Sequence, residues 1–264
     1  MDYLKYAIEG IYDDVDEIII VEGAVKGFSK KAHSTDGTYE YLSDIDTYDP
    51  QGKIRVVFKS EGLWESKVQM QNEIAKRVSG DIYIKVDSDE IWEPGAIKAI
   101  CDFMKDYPDI DIIRMPFTHL WTAFNIQAVD AGGKWSTKHP RVWRWRKSFR
   151  HKKSFNFFVD TANDNVHVKD PRFKEHVWEG NSIFHFGYVK TLSQVDEKLK
   201  YYKTRGIENN VDVGCYKKWV GGDDPTQPTQ KSSGSKAIKI SRRLLPPVMK
   251  VHQYYKKQDV RKVK

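Results

Sequence analysis

Residues 80–90, Gly80-Asp81-Ile82-Tyr83-Ile84-Lys85-Val86-Asp87-Ser88-Asp89-Glu90, decide how the fold of this chain is read. β-Branched and aromatic side chains fill positions 82–86 directly after the turn-forming pair Ser79-Gly80, which predicts a short buried strand. Asp87, Asp89 and Glu90 then crowd three carboxylates at its carboxyl end. Like charges so close repel one another and need compensation. A hard divalent cation, Mg²⁺ or Mn²⁺, supplies it through oxygen ligands and can bridge to substrate phosphates. The competing reading is an acidic triplet that solvates a turn or caps the helix after it.

The surroundings of this stretch alternate in the same sense. Leu4, Ala7, Ile8 and Ile11 recur at helical spacing and give way to the apolar run Ile18-Ile19-Ile20-Val21. Ser34-Thr35-Asp36-Gly37 is turn-like, a helix is predicted from Thr38 to Asp46, and a second strand from Ile54 to Phe58. A third helix is predicted over Glu65 to Val78. Beyond the acidic triplet, Pro94 fits the first turn of a helix that turns Ile97, Ile100, Phe103 and Met104 inward. Repeated helix–strand alternation predicts an α/β fold with an open, mostly parallel sheet and helices on both faces. Ligands in such sheets bind beyond the carboxyl ends of the strands, here at Glu22, Lys59 and Asp87.

From Ile112 to Tyr188 the pattern changes to short aromatic-rich runs that include Trp121, Trp135, Trp143, Trp145 and Trp178, predicting a mixed, loop-rich half. A helix returns over Thr191 to Arg205. Residues 221–235 are rich in Gly, Pro, Ser, Thr and Gln and read as a flexible connector to a basic tail. The expected organisation is one domain over 1–220, split into halves 1–110 and 111–220, followed by connector and tail over 221–264.

Composition narrows the class. Of the 264 residues, 39% are hydrophobic and 31% charged, which excludes a disordered chain of low hydrophobicity. Two distant cysteines, Cys101 and Cys215, exclude a disulfide framework or a cysteine-rich zinc site. The net charge of +7 arises from 44 basic and 37 acidic residues, with the excess late, in Lys236 to Lys264. Such a tail suits phosphate-rich partners such as anionic lipid, and a solvated tail that binds nothing is the plain alternative. No stretch reaches the roughly 18 apolar residues of a membrane span, and the start lacks the layout of a secretory signal. The expected location is cytoplasmic, with peripheral contact at the inner membrane face through the tail.

Several of these segments together resemble family 2-type glycosyltransferases, which have a GT-A, Rossmann-like fold with an acceptor half. Lys67-Val-Gln-Met-Gln-Asn72, then Ser79-Gly80-Asp81 and the strand into Asp87-Ser88-Asp89, match that family's helix, small-Gly-Asp turn and Asp-x-Asp motif. Upstream, Ile20-Val21-Glu22-Gly23 and Ser34-Thr35-Asp36-Gly37-Thr38 are similar to a strand ending in an acidic pair and a Ser-Thr-Asp-Gly-Thr turn, split here by Ala24 to His33. Downstream, Phe184-His185-Phe186-Gly187-Tyr188 with Lys198 is similar to a late His-aromatic segment of some members. The resemblance covers about the first hundred residues well. Members usually open with a strand and an Asn-Glu-Glu segment, whereas this sequence begins inside the helix.

The resemblance implies that Glu22 contacts the base or ribose of a nucleotide-sugar donor, a UDP- or GDP-sugar. It places Lys67 near the nucleotide, with Asn72 in support. Asp87 and Asp89 would reach ribose and metal, and His185 would complete the shell of Mn²⁺ or Mg²⁺. The implied reaction is sugar transfer to a glycan, lipid-linked or protein acceptor, with inversion and a carboxylate as general base. Asp160, Asp164, Glu175 and Glu179 lie in the region expected to line the acceptor cleft, and Glu179 and Glu175 are the nominated bases. Two other classes compete: a non-catalytic polyanion- or glycan-binding protein on the same fold, and a nucleotidyltransferase using the same acidic site. Nucleic acid is not an expected partner.

Overall fold

A computed structural model describes the chain except residues 1, 28, 30, 130–137, 153–157, 163–165, 168–169, 181, 205–235, 258–259 and 261–264. The connector at 221–235, Asp164 and Trp135 therefore lie outside the described residues.

The helices are α1 (Leu4–Ile11), α2 (Thr38–Ser43), α3 (Lys67–Ala75), α4 (Ala96–Asp106) and α5 (Leu192–Thr204). The strands of the first half are β1 (Ile18–Glu22), β2 (Ile54–Phe58), β3 (Ile82–Ile84) and β4 (Glu90–Trp92). Those of the second half are β5 (Ile112–Met115), β6 (Phe117–Trp121), β7 (Ala123–Val129), β8 (His139–Arg144), β9 (Phe149–Arg150), β10 (Val159–Asp160), β11 (Val166–His167), β12 (Glu175–Val177), β13 (Ile183–Tyr188) and β14 (Lys236–Lys239).

Local chemistry explains the helix starts. Ser66 caps α3 by accepting from the Gln69 amide at 3.2 Å, and the Gln69 side chain accepts from the Glu65 amide, just before the cap, at 2.8 Å. On α4 the apolar stripe Ile97, Ile100 and Met104 is fully buried, each side chain contributing about 1.5–3 kcal/mol. These residues share one core cluster with Ile8, Ile11, Ile18, Ile54, Ile113 and Val142, so both halves of the chain build it.

The mostly parallel sheet expected from alternation is not what forms. β1 and β2 pair in parallel as a sheet of two. A four-stranded sheet runs β12-β5-β8-β3 and a five-stranded one β14-β7-β6-β13-β4, and both are mixed. Only β12/β5 and β13/β6 are parallel within them. The reason is that helix–strand alternation stops after α4. Strands β6 and β7 are joined at Thr122 and pair antiparallel, as a short connection favours. β8 inserts antiparallel between β5 and β3. A three-stranded antiparallel sheet, β11-β10-β9, completes the architecture.

The start of β2 depends on one carboxylate. Asp49 accepts from Tyr12 Oη at 2.5 Å and from the Lys53 and Ile54 amides at 2.9 and 2.7 Å. Burial alone would raise its pKa, but these hydrogen bonds outweigh burial and hold it below 3.8. A depressed carboxylate stabilises the fold above its unfolded pKa and loses that contribution as pH falls through the folded value. Asp49→Ala is therefore expected to cost about 1–3 kcal/mol at pH 7 and less near pH 3. Urea melts at both values check it, and an equal loss at both would show that the carboxylate charge is irrelevant.

The basic segment after residue 235 is part of the packing. β14 adds to the edge of β7, with Ala237 opposite Ala128 and Lys239 opposite Ile126. Leu245, Met249, Tyr254 and Val260 are buried in a cluster with Tyr3, Phe124 and Phe186. His252 stacks on Tyr3 with ring centroids 4.8 Å apart, and its Nε2 lies 2.7 Å from the Asp2 carbonyl. Among the described residues no helix is long and apolar enough to cross a membrane.

Candidate active site

Strand register assembles the site. In the five-stranded sheet His185 on β13 lies opposite His119 on β6 on one side and opposite Glu90 on β4 on the other. Asp87 and Asp89 occupy the turn between β3 and β4, and the Glu90 amide closes that turn onto the Asp87 carbonyl at 2.9 Å. The backbone amide of Lys85 donates to the Arg141 carbonyl at 2.8 Å, which sets Arg141 beside the turn. Asp87, Glu90, Phe117, His119, His139, Arg141 and His185 line one cleft.

Arg141 organises the carboxylates. Its Nε and Nη2 donate to the two oxygens of Glu90 at 3.0 and 2.5 Å, and Nη2 also reaches Asp87 at 3.3 Å. Lys85 Nζ sits 3.8 Å from the other Asp87 oxygen. Burial is the strongest influence on Glu90 and raises its pKa to about 7 against the pull of Arg141. Asp89 behaves oppositely. Burial would raise it, but His185, Lys198 and Lys190 together hold it down to about 2, so it is ionised at neutral pH.

Burial lowers His139 to about 4 and also lowers His185. His185 Nε2 is 3.7 Å from Asp89 Oδ1, and His185 Nδ1 is 2.9 Å from His119 Nδ1. One of those two Nδ1 atoms must carry a proton. With the proton on His185, its Nε2 lone pair faces Asp89, the tautomer a shared cation needs.

Gly187 makes room for this ring. A Cβ there would lie 2.6 Å from the His185 ring and 3.3 Å from Lys198 Nζ, which itself donates to the Gly187 carbonyl at 3.0 Å.

The residues offer a divalent ion two protein ligands. Asp89 Oδ1 and His185 Nε2 are spaced as neighbours on one ion, whereas Asp87 is already engaged by Arg141 and Lys85. Among the described residues no group of three or more His, Cys, Asp or Glu side chains forms a metal cage. Two ligands fit an ion that takes its remaining oxygens from water and substrate phosphate, as Mg²⁺ and Mn²⁺ do in phosphate sites. Lysines also gather at the carboxylates. Burial lowers the pKa of Lys198, with Lys190 and Lys67 adding to it against the pull of Asp89, and burial lowers that of Lys85, with Arg141 and Lys67 adding to it against the pull of Asp87.

The other residues singled out in the sequence lie apart from the cleft. Glu22 ends β1, is 4% exposed, and accepts from His33 Nδ1 at 2.7 Å and the Ser34 amide at 2.8 Å. The segment from Ala24 folds back over it, with the Ala24 amide on the Ala32 carbonyl at 2.8 Å. Gly23, at φ 128°, permits this closure: a Cβ there would meet Trp64 Nε1 at 2.7 Å, the atom that donates to the Glu22 carbonyl. Asn72 clasps both backbone polar groups of His151 at 2.8 Å, tying α3 to the segment after β9.

Glu175 and Glu179 do not line the cleft either. Glu175 is paired with Arg114 at 2.6 and 3.2 Å on the neighbouring strand, and Glu179 is exposed. Conversely, His119 and His139 enter the cleft without any local signal that sets them apart from other histidines, and Arg141 enters it from the run Arg141-Val142-Trp143-Arg144. Their convergence is a matter of strand register.

No protein-family model matches the chain, and no curated protein matches it in sequence.

Proposed function

We propose that this chain is a metal-dependent glycosyltransferase of the family 2 type on a GT-A-like α/β fold, moving a sugar from a UDP- or GDP-sugar to an acceptor hydroxyl. The observation that carries the reading is the approach of Asp89 and His185, 96 residues apart in sequence, to 3.7 Å where lysines gather at the carboxylates. Asp89 and His185 would hold the ion, and the imidazole favours Mn²⁺ over Mg²⁺. When bound, the ion would stabilise the charge on the departing diphosphate. Lys85, Lys198, Lys190 and Lys67 add positive potential for the same diphosphate. Arg141 keeps Asp87 oriented at the mouth of the site. A hydrolytic metal cage would need more protein ligands than this site offers, and a site for substrate-shared metal does not.

The test is calorimetric titration of UDP and GDP with and without Mn²⁺ on the intact chain and on Asp89→Ala. Metal-dependent binding on the intact chain, weakened at least a hundredfold in the variant, is the expected result; unchanged affinity in Asp89→Ala removes the proposal. Analysis of products separates the rival chemistry, since release of pyrophosphate in place of a nucleoside diphosphate would mark a nucleotidyltransferase. Gly187→Ala offers an independent check. Displacing the His185 ring is expected to weaken the Mn²⁺ dependence without loss of the cooperative melt, and an unchanged Mn²⁺ titration would take His185 out of the shell.

A further inference from the structure

The net positive charge of this protein comes from one end of the chain. Residues 236–264 hold ten of the 44 basic residues and one of the 37 acidic ones, so this segment carries +9 and the remainder −2. Between Lys236 and Gln258 there is no Asp or Glu at all. Packing holds the segment in place, because Leu245, Met249 and Tyr254 are buried beneath it. Arg243, Lys250, Lys256 and Lys257 are consequently held at the surface.

Apolar side chains are displayed beside these cations. Leu244 is 62% exposed and Val251 78%, more than any other large hydrophobic residue among those described, and Ile238 of the same segment is 42% exposed. Both Leu244 and Val251 end short 3₁₀ helices whose neighbouring residues, Leu245 and Met249, point into the core. A packed frame thus presents aliphatic groups outward next to exposed basic side chains. The arrangement matches the two demands of a membrane interface, apolar insertion below the headgroups and attraction to anionic lipid.

We infer that the surface formed by Arg243, Leu244, Lys250, Val251, Lys256 and Lys257 docks on an anionic membrane surface. Nucleic acid fits it less well, because single strands are held by stacking on aromatic rings. Here Tyr254 is buried and Tyr255 is half-buried with its hydroxyl donating to the Arg242 carbonyl at 3.4 Å. The inference stands independently of the glycosyl-transfer reading, since it uses none of the residues of the cleft.

Co-sedimentation of the full chain with phosphatidylcholine vesicles, with and without phosphatidylglycerol, tests it. Binding is expected only to the anionic vesicles and should weaken as salt rises. Each basic side chain near such a surface adds roughly fivefold to the partition constant. Replacing Arg243, Lys250, Lys256 and Lys257 together by Gln should therefore reduce binding by more than a hundredfold. The pair Leu244→Ser and Val251→Ser should reduce it about tenfold, with the thermal melt of each variant unchanged because the side chains are exposed. Absence of binding to anionic vesicles overturns the inference. So does full binding by the Ser pair, which would mean that charge alone is at work, or tight binding to single-stranded DNA at a salt concentration where vesicles are ignored.

Discussion

Arg141→Met is expected to destabilise the protein by about 1–2 kcal/mol at pH 8, where loss of its buried ion-pair partner forces Glu90 to stay protonated in the fold. The guanidinium is 9% exposed and bonded to both oxygens of Glu90, which is itself 1% exposed. The loss should depend on pH in a definite sense. Glu90 already has a folded pKa raised from 4.5 to about 7, so its ionisation lowers stability as pH rises through that interval. Without Arg141 the folded pKa climbs further, and the decline continues to higher pH. The difference between wild type and variant is therefore small at pH 5 and largest at pH 8. Adding Glu90→Gln to the variant should recover most of it. Denaturant melts at the two pH values decide the matter: an equal loss at both would assign the role of Arg141 to its packing 4.9 Å over the Phe117 ring.

A chain ended at residue 235 is expected to lose its cooperative fold. The truncation removes the strand paired with β7 and the buried side chains Leu245, Met249, Tyr254 and Val260. At about 1.5–3 kcal/mol for each large apolar side chain, these four alone contribute about 6–12 kcal/mol. The whole stability of a domain is about 5–15 kcal/mol. Tyr3 would lose the stacked His252 ring as well, freeing the start of α1. Circular dichroism of the truncated chain should show no sharp thermal transition. A melt matching that of the full chain would mean that the segment is merely docked.

The location of the segment's charge was legible in composition, but its burial was not. Ten basic residues among 29 read as a tail, either meeting phosphate-rich partners or solvated, because the apolar positions in it are too irregular for either helical or strand periodicity. They pack from 3₁₀ turns broken by Pro246 and Pro247, a geometry without a simple repeat.

For the candidate site the division follows the range of the interactions. Asp87 and Asp89 were conspicuous because carboxylates crowded after a strand are unusual within a few residues. His185 was singled out by resemblance to a known segment. Arg141, His119 and His139 converge on the cleft only through strand register, since nothing in the residues flanking any of them specifies a cleft. Glu175 and Glu179 were nominated from their region of the chain, yet the partner of Glu175 is Arg114, 61 residues away.

The sequence by itself determined helices α1 to α4 and strands β1 to β3 in outline, though not β4, because side-chain periodicity and capping act within one or two turns. It also determined the acidic turn after β3 and the charge asymmetry of the chain. Only the tertiary structure decided that the sheets are mixed, that Glu22 is covered by the segment after it, and that His119, His185 and Glu90 stand in one row across three strands. Those outcomes depend on which strand edges meet and in what register. Register is set by burial and hydrogen bonding summed over distant segments, and no local pattern encodes that sum.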